Sequence, residues 1–268
     1  MNPYLNFVQQ VEEQFKSAAK LPLGGITPRV QKELLPDAPK VLLFSPHPDD
    51  ECITGLLPLR LMHEAGMRII NVPVTFGNNV NRQSGRAEEL KNACGFLGWR
   101  IFGRNGFQGL EKEDVVQILK AERPAVIFMP HSKDWNSRHI ATHFLVMEAL
   151  AEMEKDFSCI VIETEFWGAM DHPNLMVEGD AQTVADLVAA ISFHVKEVER
   201  NPYHLSLPAW MQDNVRRGGE LVGGQGNAVP DFSFATLYRL RRWKCGMLFQ
   251  TLEKGRMLAM NDDLKDIF

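Results

Sequence analysis

The segment Phe44-Ser45-Pro46-His47-Pro48-Asp49-Asp50-Glu51 sets one imidazole and three carboxylates side by side. Like charges gathered this closely repel one another unless a cation lies among them. Histidine and aspartate in an open arrangement suit a catalytic divalent metal, and a further carboxylate remains to act as a base. The segment follows the apolar run Val41-Leu42-Leu43-Phe44, of the kind that forms a buried parallel strand, and precedes a helix-like stretch from Ile53 to Met62. It therefore occupies a strand-to-helix turn, where side chains leave a sheet and meet solvent. These residues read as half of a metal site.

A second polar cluster follows the apolar run Ala125-Val126-Ile127-Phe128-Met129. It comprises Pro130-His131-Ser132-Lys133-Asp134-Trp135-Asn136-Ser137-Arg138-His139, continuing through His143. Three histidines and an aspartate at the mouth of another strand can complete a site with His47 and one of the paired aspartates. His139 and His143 are four apart and share a face if a helix begins at Asn136 or Arg138. The glutamate found between two such histidines in His-Glu-x-x-His enzymes is missing.

The elements that must position these residues alternate between 40 and 165. Strands are expected near 41–45, 69–74, 99–103, 125–129 and 159–164, and helices near 53–66, 82–97, 112–121 and 139–154. Such alternation implies a parallel sheet covered on both faces by right-handed crossovers. With strand order 3-2-1-4-5, the first and fourth strands are neighbours. Ligands then bind outside their carboxyl ends, where both polar clusters fall. Residues 1–38 hold an amphipathic helix and the punctuation Pro22-Leu23-Gly24-Gly25; one helix is expected over about 181–199. Residues 201–268 read as lid and rim of one domain spanning 1–268, with its core over about 38–200. The run Gly218-Gly219-Glu220-Leu221-Val222-Gly223-Gly224-Gln225-Gly226 lacks the lysine and hydroxyl of a phosphate loop, so it reads as a flexible active-site loop.

Composition narrows the function. The 268 residues, 45% hydrophobic, can bury a full core, and the net charge of −5 argues against nucleic-acid or membrane-surface partners. No run approaches the roughly 18 apolar residues of a membrane span. Met1 to Lys20 lacks the apolar centre of a signal peptide. Four scattered cysteines, Cys52, Cys94, Cys159 and Cys245, fit free thiols in a reducing cytoplasm. A small-molecule substrate is the expected partner, and a homo-oligomer stays open.

The motif Pro46-His47-Pro48-Asp49-Asp50-Glu51 resembles the signature of the PIG-L/LmbE-like family of zinc-dependent N-acetylglucosaminyl deacetylases. Gly85-Arg86-Ala87-Glu88-Glu89-Leu90, Glu163-Thr164-Glu165 and His194-Val195-Lys196 are similar to the family more loosely, and the resemblance spans about residues 38–200. It implies an α/β fold, a Rossmann-like three-layer sandwich with a mostly parallel central sheet. It also implies Zn²⁺, or another divalent metal, held by His47, Asp50 and His139, with Asp49 as general base. The products would be acetate and a free amino sugar.

Two positions depart from the family. Asn136 stands where relatives carry histidine, and Arg138 where they carry aspartate. Asn136 can donate to an oxyanion but cannot protonate a leaving amine, so His131 or His172 would supply that acid from a loop. Arg138 carries a fork suited to carboxylate or phosphate; it either reads an anionic substrate or pairs with Asp134 or Glu51. Arg86 either clamps substrate or forms a surface pair with Glu89, Asn78 is expected to line a sugar pocket, and Glu51 reads as a helix cap. Two alternatives remain open: a non-catalytic sugar- or metabolite-binding protein, and a metal hydrolase of a different amide or ester.

Overall fold

Val41 and Leu43 pack into one hydrophobic core and Leu42 and Phe44 into another, so the first strand, β1 (Lys40–Ser45), is covered on both faces. In this computed structural model, which describes residues 2–28 and 33–267, β1 pairs in parallel with β2 (Arg68–Pro73) and β4 (Val126–Pro130). A short β3 (Arg100–Ile101) lies outside β2, and β5 (Ser158–Thr164) lies outside β4, both parallel. The order 3-2-1-4-5 is the one expected from sequence.

The helices divide between the two faces. Apolar residues of α3 (Leu56–His63), α4 (Val80–Leu97) and α7 (Ala181–Ser192) join the core that holds Val41. Those of α5 (Lys112–Glu122) and α6 (Ser137–Ala151) join the core that holds Leu42. The chain is thus a mixed α/β, three-layer structure with a mostly parallel central sheet. Crossovers change face between β1 and β4, which opens a crevice at their carboxyl ends. The amphipathic α1 (Leu5–Ala18) forms as expected, with no buried residue. No helix among the described residues is long and apolar enough to cross a membrane.

The structure departs from the sequence reading in four places. The helix expected over 53–66 is two pieces, α2 (Asp50–Ile53) and α3, divided at Thr54-Gly55. A Cβ on Gly55 would lie 2.3 Å from the Leu187 side chain of α7, so that helix packs directly against the break. The Tyr238 hydroxyl donates to the Thr54 carbonyl at 2.7 Å and accepts from the Leu57 N–H at 3.2 Å. One buried side chain thereby satisfies an orphan group at each of the two facing helix ends.

The helix expected over 181–199 breaks at His194 (φ −81°, ψ 59°) and resumes as α8 (Val195–Arg200). Part of the C-terminal segment read as lid and rim extends the sheet. β7 (Phe234–Lys244) runs antiparallel to β5 and to β6 (Leu175–Gly179), while β8 (Met247–Gln250) pairs with β7 and β9 (Arg256–Leu258) with β6. The Gly218 segment is no loop at the active site either. Gly218 lies in α9 (Leu207–Leu221), where a Cβ would meet Met176 Sδ at 2.4 Å, so glycine permits close packing of α9 on β6.

Tyr238→Phe should keep the fold but leave the Thr54 carbonyl and Leu57 N–H without their partner. Urea unfolding should show a loss of about 1–3 kcal/mol; an unchanged midpoint would mean that the hydroxyl does not hold the break.

Candidate metal centre and active site

The chain after β1 turns so sharply that Asp49 adopts φ 113°, a left-handed conformation costing a non-glycine residue on the order of 1–3 kcal/mol. Three hydrogen bonds hold that turn. The His47 N–H donates to Asp50 Oδ2 at 2.8 Å, and the Asp49 N–H donates to Glu51 Oε2 at 2.8 Å. The other oxygen of Glu51 lies 2.7 Å from His194 Nε2, and both side chains are fully buried. Glu51 is therefore a buried brace and not a surface helix cap.

Asp50 Oδ2 lies 3.2 Å from His47 Nδ1 and 3.4 Å from His139 Nε2. The ligand atoms of His47, Asp50 and His139 all fall within 4.8 Å of one another. The second nitrogen of His139 is 3.1 Å from Asp134 Oδ2, which fixes the ring and leaves Nε2 directed at Asp50. A carboxylate behind a metal-facing imidazole is the usual support for a bound ion. Phe166 packs edge-on against the same ring at 4.9 Å.

Electrostatics also ask for a cation here. Burial opposes ionisation of Asp50, but the charge and hydrogen bond of His139, followed by those of His47, outweigh it and hold the carboxyl well below the usual carboxylate range. Burial likewise opposes a charge on His139, yet Asp50 and then Asp134 raise it to about 10. An imidazole flanked by two carboxylates demands positive charge, and a divalent ion answers that demand with neutral histidines as donors. The donor set of two imidazoles and one carboxylate fits zinc with a position left open.

Asp49 lies beside this cluster in a cleft of about 380 Å³. Burial, reinforced by the charge of Asp50, pushes its carboxyl up to about 7, while His194, the Tyr203 hydroxyl and Arg86 oppose the shift. Tyr203 donates to Asp49 Oδ2 at 2.6 Å. Its own hydroxyl is raised far above the ordinary tyrosine range, first by burial and then by Asp49, so it stays a donor. Trp167 packs against Tyr203, and Trp210 packs against Trp167.

The remaining sequence-derived candidates separate. Asn136 lines the cleft and caps α6, its Oδ1 accepting from the Arg138 N–H at 2.9 Å. With the oxygen committed to the cap, Nδ2 is the atom able to donate into the cleft. Asn78 also lines the cleft, as does Arg86, which turns inward and does not pair with Glu89. Its Nη2 reaches the Pro48 carbonyl at 3.3 Å, whereas Glu89 accepts from the Lys196 N–H.

His131 is not in the cleft. Its buried ring bonds through Nε2 to the Gly168 carbonyl at 3.0 Å and lines a separate small cavity with His172. Neither histidine is placed to protonate a leaving group in the cleft. His143 is also turned away, with Nδ1 on the Pro130 carbonyl at 2.9 Å. Arg138 is exposed on a neighbouring hollow and donates to Asn78 at 3.3 Å. It pairs with neither Asp134 nor Glu51, because those carboxylates already serve His139 with the Asn136 N–H and His194 with the Asp49 N–H.

The sequence reading passed over Tyr203, Glu197, Arg82 and Arg200, all of which line the cleft. Arg82 stands four residues before Arg86, a helical spacing that puts both on one face of α4. Tyr203 offers no such local signal, since 154 residues separate it from Asp49.

Comparison with known proteins follows the same outline. Residues 42–150 match the model of the PIG-L family, described as GlcNAc-PI de-N-acetylase. Among solved structures, the N,N'-diacetylchitobiose deacetylase from Pyrococcus horikoshii is similar at a TM-score of 0.57 and 18% identity, over 90% of this chain and 93% of that one. GalB, the 4-carboxy-2-hydroxymuconate hydratase from Pseudomonas putida, gives 0.55 at 15% identity, over 75% of this chain and 95% of its own. The zinc-inhibited form of teicoplanin deacetylase Orf2 gives 0.52 at 13% identity, over 76% and 98%. No curated protein matches the chain in sequence. Likeness at these identities concerns the fold, and a hydratase among deacetylases shows that this fold serves more than one chemistry.

Asp134→Asn should leave the fold intact but weaken the hold on His139. Zinc affinity, read against a chromophoric chelator, should fall about 10- to 100-fold; wild-type affinity would remove Asp134 from the site.

Proposed function

We propose that this chain, whose residues 42–150 belong to the PIG-L family of GlcNAc-PI de-N-acetylases, is a metal-dependent hydrolase that removes an acyl group from an N-acylated amino sugar. The observation that carries this reading is the cluster of His47, Asp50 and His139 with Asp49 beside it in one cleft. The deacetylases of the same fold support it.

A divalent ion held by His47, Asp50 and His139, zinc by its donor chemistry, would supply Lewis acidity to the reacting carbonyl and to water. The rest of the chemistry belongs to side chains. Asp49, in the cleft beside the three proposed ligands, accepts the proton that water releases as its oxygen bonds to the amide carbon. The Tyr203 hydroxyl occupies Oδ2 of Asp49, so Oδ1 is the oxygen that takes this proton. Asn136 Nδ2 donates to the carbonyl oxygen as charge develops on it.

Cleavage of the carbon–nitrogen bond requires a proton on the departing amine. With His131 and His172 outside the cleft, Asp49 returns the proton it has just taken. The same carboxylate thus serves as base and then as acid. The products are a carboxylic acid and a free amine. The scattered placing of the four cysteines suits a reducing compartment such as the cytoplasm.

Amine release from a panel of N-acetylated sugars, measured beside metal content, tests the assignment. Asp49→Asn should lower kcat by about 10²–10⁴-fold while retaining the metal, and His139→Ala should lose both. A metal-loaded wild-type protein that releases no amine from any N-acyl sugar would overturn the hydrolase reading.

A further inference from the structure

The apolar stripe of α1 is left open to solvent. Tyr4, Phe7, Val8, Val11 and Phe15 recur at the three- and four-residue spacing of one helix face. Tyr4 is 72% exposed, Phe7 63% and Val8 59%, and no residue of α1 is buried among the described residues. Glu12, Glu13 and Lys16 lie outside the stripe, where Lys16 pairs with both acids. A helix of 14 residues is marginal in water unless its apolar face packs on something.

At the carboxyl end of α1 the chain borders an apolar hollow of about 470 Å³. One side of α7, with Ala181, Ala185, Val188 and Ala189, forms its wall. The opposite side of α7, with Leu187, Ala190 and Ile191, is packed into the core that holds Val41. A helix apolar on all sides is ordinarily covered on all sides. Here one side of α7 faces an open hollow. The polar side chains of the lining are Ser192 and His204. The Ser192 hydroxyl is already committed, accepting from the Gly24 N–H at 3.1 Å and donating to the Ala189 carbonyl at 2.6 Å.

Hollow and stripe are complementary in shape. The alanines of α7 let a second helix approach closely, and the bulky side chains of α1 suit the space above them. Within one chain the two stay apart. Of α1 only Ala18 reaches the hollow, and the segment behind it is pinned where Gly24 bonds Ser192. A two-fold axis brings them together, since α1 of each copy then lies along α7 of the other and the contact is made twice. Covered aromatic side chains bury roughly 150–250 Å² each. Three of them, with their aliphatic neighbours and the wall of the hollow, reach the order of the ~800 Å² per partner of a stable interface. A bilayer fits less well: α1 has no basic face, and the net charge of −5 opposes an anionic surface.

We propose that the occupant of the hollow is a second copy of this chain, and that the two copies exchange α1 so that each seats Tyr4, Phe7, Val8, Val11 and Phe15 against α7 of its partner. The interface does not depend on the reaction proposed above, but it adjoins the cleft. His204 and Leu205 bound the hollow, and they share the helical turn Tyr203–Leu205 with the tyrosine that donates to Asp49. The seat of the partner's helix is thus next in the chain to the side chain that holds Asp49.

Sedimentation equilibrium of the full chain, over about 1–100 μM, tests the interface. The wild type should contain an even number of chains. Val8→Glu joined to Phe15→Glu, on a helix with no buried residue, should halve that number. Ala185→Trp, which fills the hollow from an exposed position on α7, should halve it as well. Cooperative urea unfolding of each variant verifies that it is folded, and the two act from opposite sides of the contact. A monomeric wild type would overturn the proposal, whether its α1 closes on its own hollow or carries the chain to anionic vesicles. An odd number of chains, or an assembly that neither variant disturbs, would also overturn it. So would loss of assembly in the α1 variant but not in Ala185→Trp, a pattern that would mean pairing through α1 alone.

Discussion

The buried contact between Glu51 and His194 is the constraint on which the cleft depends. One Glu51 oxygen holds the His194 imidazole, and the other holds the backbone N–H of Asp49 in its left-handed conformation. Burial would strip charge from His194, but the Glu51 carboxylate outweighs it and raises the imidazole above its ordinary value. Removing either partner would leave a buried charged or polar group unanswered, a costly change in a closed interior. The pair therefore ties the turn after the first strand to the break between the seventh and eighth helices.

That tie has consequences on both sides. Before the break, the seventh helix packs against the interruption between α2 and α3, which Tyr238 bridges from the opposite part of the sheet. After it, the eighth helix delivers Glu197 and Arg200, and the following turn delivers Tyr203 to Asp49. The cleft is consequently divided by charge. One part holds Asp49, Asp50 and the two histidines His47 and His139. The other holds three arginines gathered on Glu197.

Legibility in the sequence followed the range of the interactions concerned. The central strands announced themselves as short apolar runs, because both faces of each are buried, and their alternation with helices fixed the position of the crevice. His47, Asp49, Asp50 and Glu51 were visible because the turn that gathers them is local. His139 was reachable through the second strand mouth and the family resemblance. By contrast, Tyr238 bridges the break between α2 and α3 from 184 residues beyond Thr54, and no local pattern carries that information. His131 looked like an active-site histidine until the Gly168 carbonyl claimed its ring. Arg138 is next to His139 in sequence, yet its place on the first turn of the sixth helix directs it into another hollow.

The central claim concerns where a cation sits and which carboxylate stays free of it. Anomalous diffraction at the zinc edge, from crystals of the metal-loaded protein, addresses both points at once. The strongest peak should lie within bonding distance of His47, Asp50 and His139, with Asp49 outside the coordination shell and still hydrogen-bonded to Tyr203. A principal peak on Glu51, Cys52 and His194, the other buried group with suitable donors among the described residues, would contradict that division of labour, as would a peak bonded by Asp49.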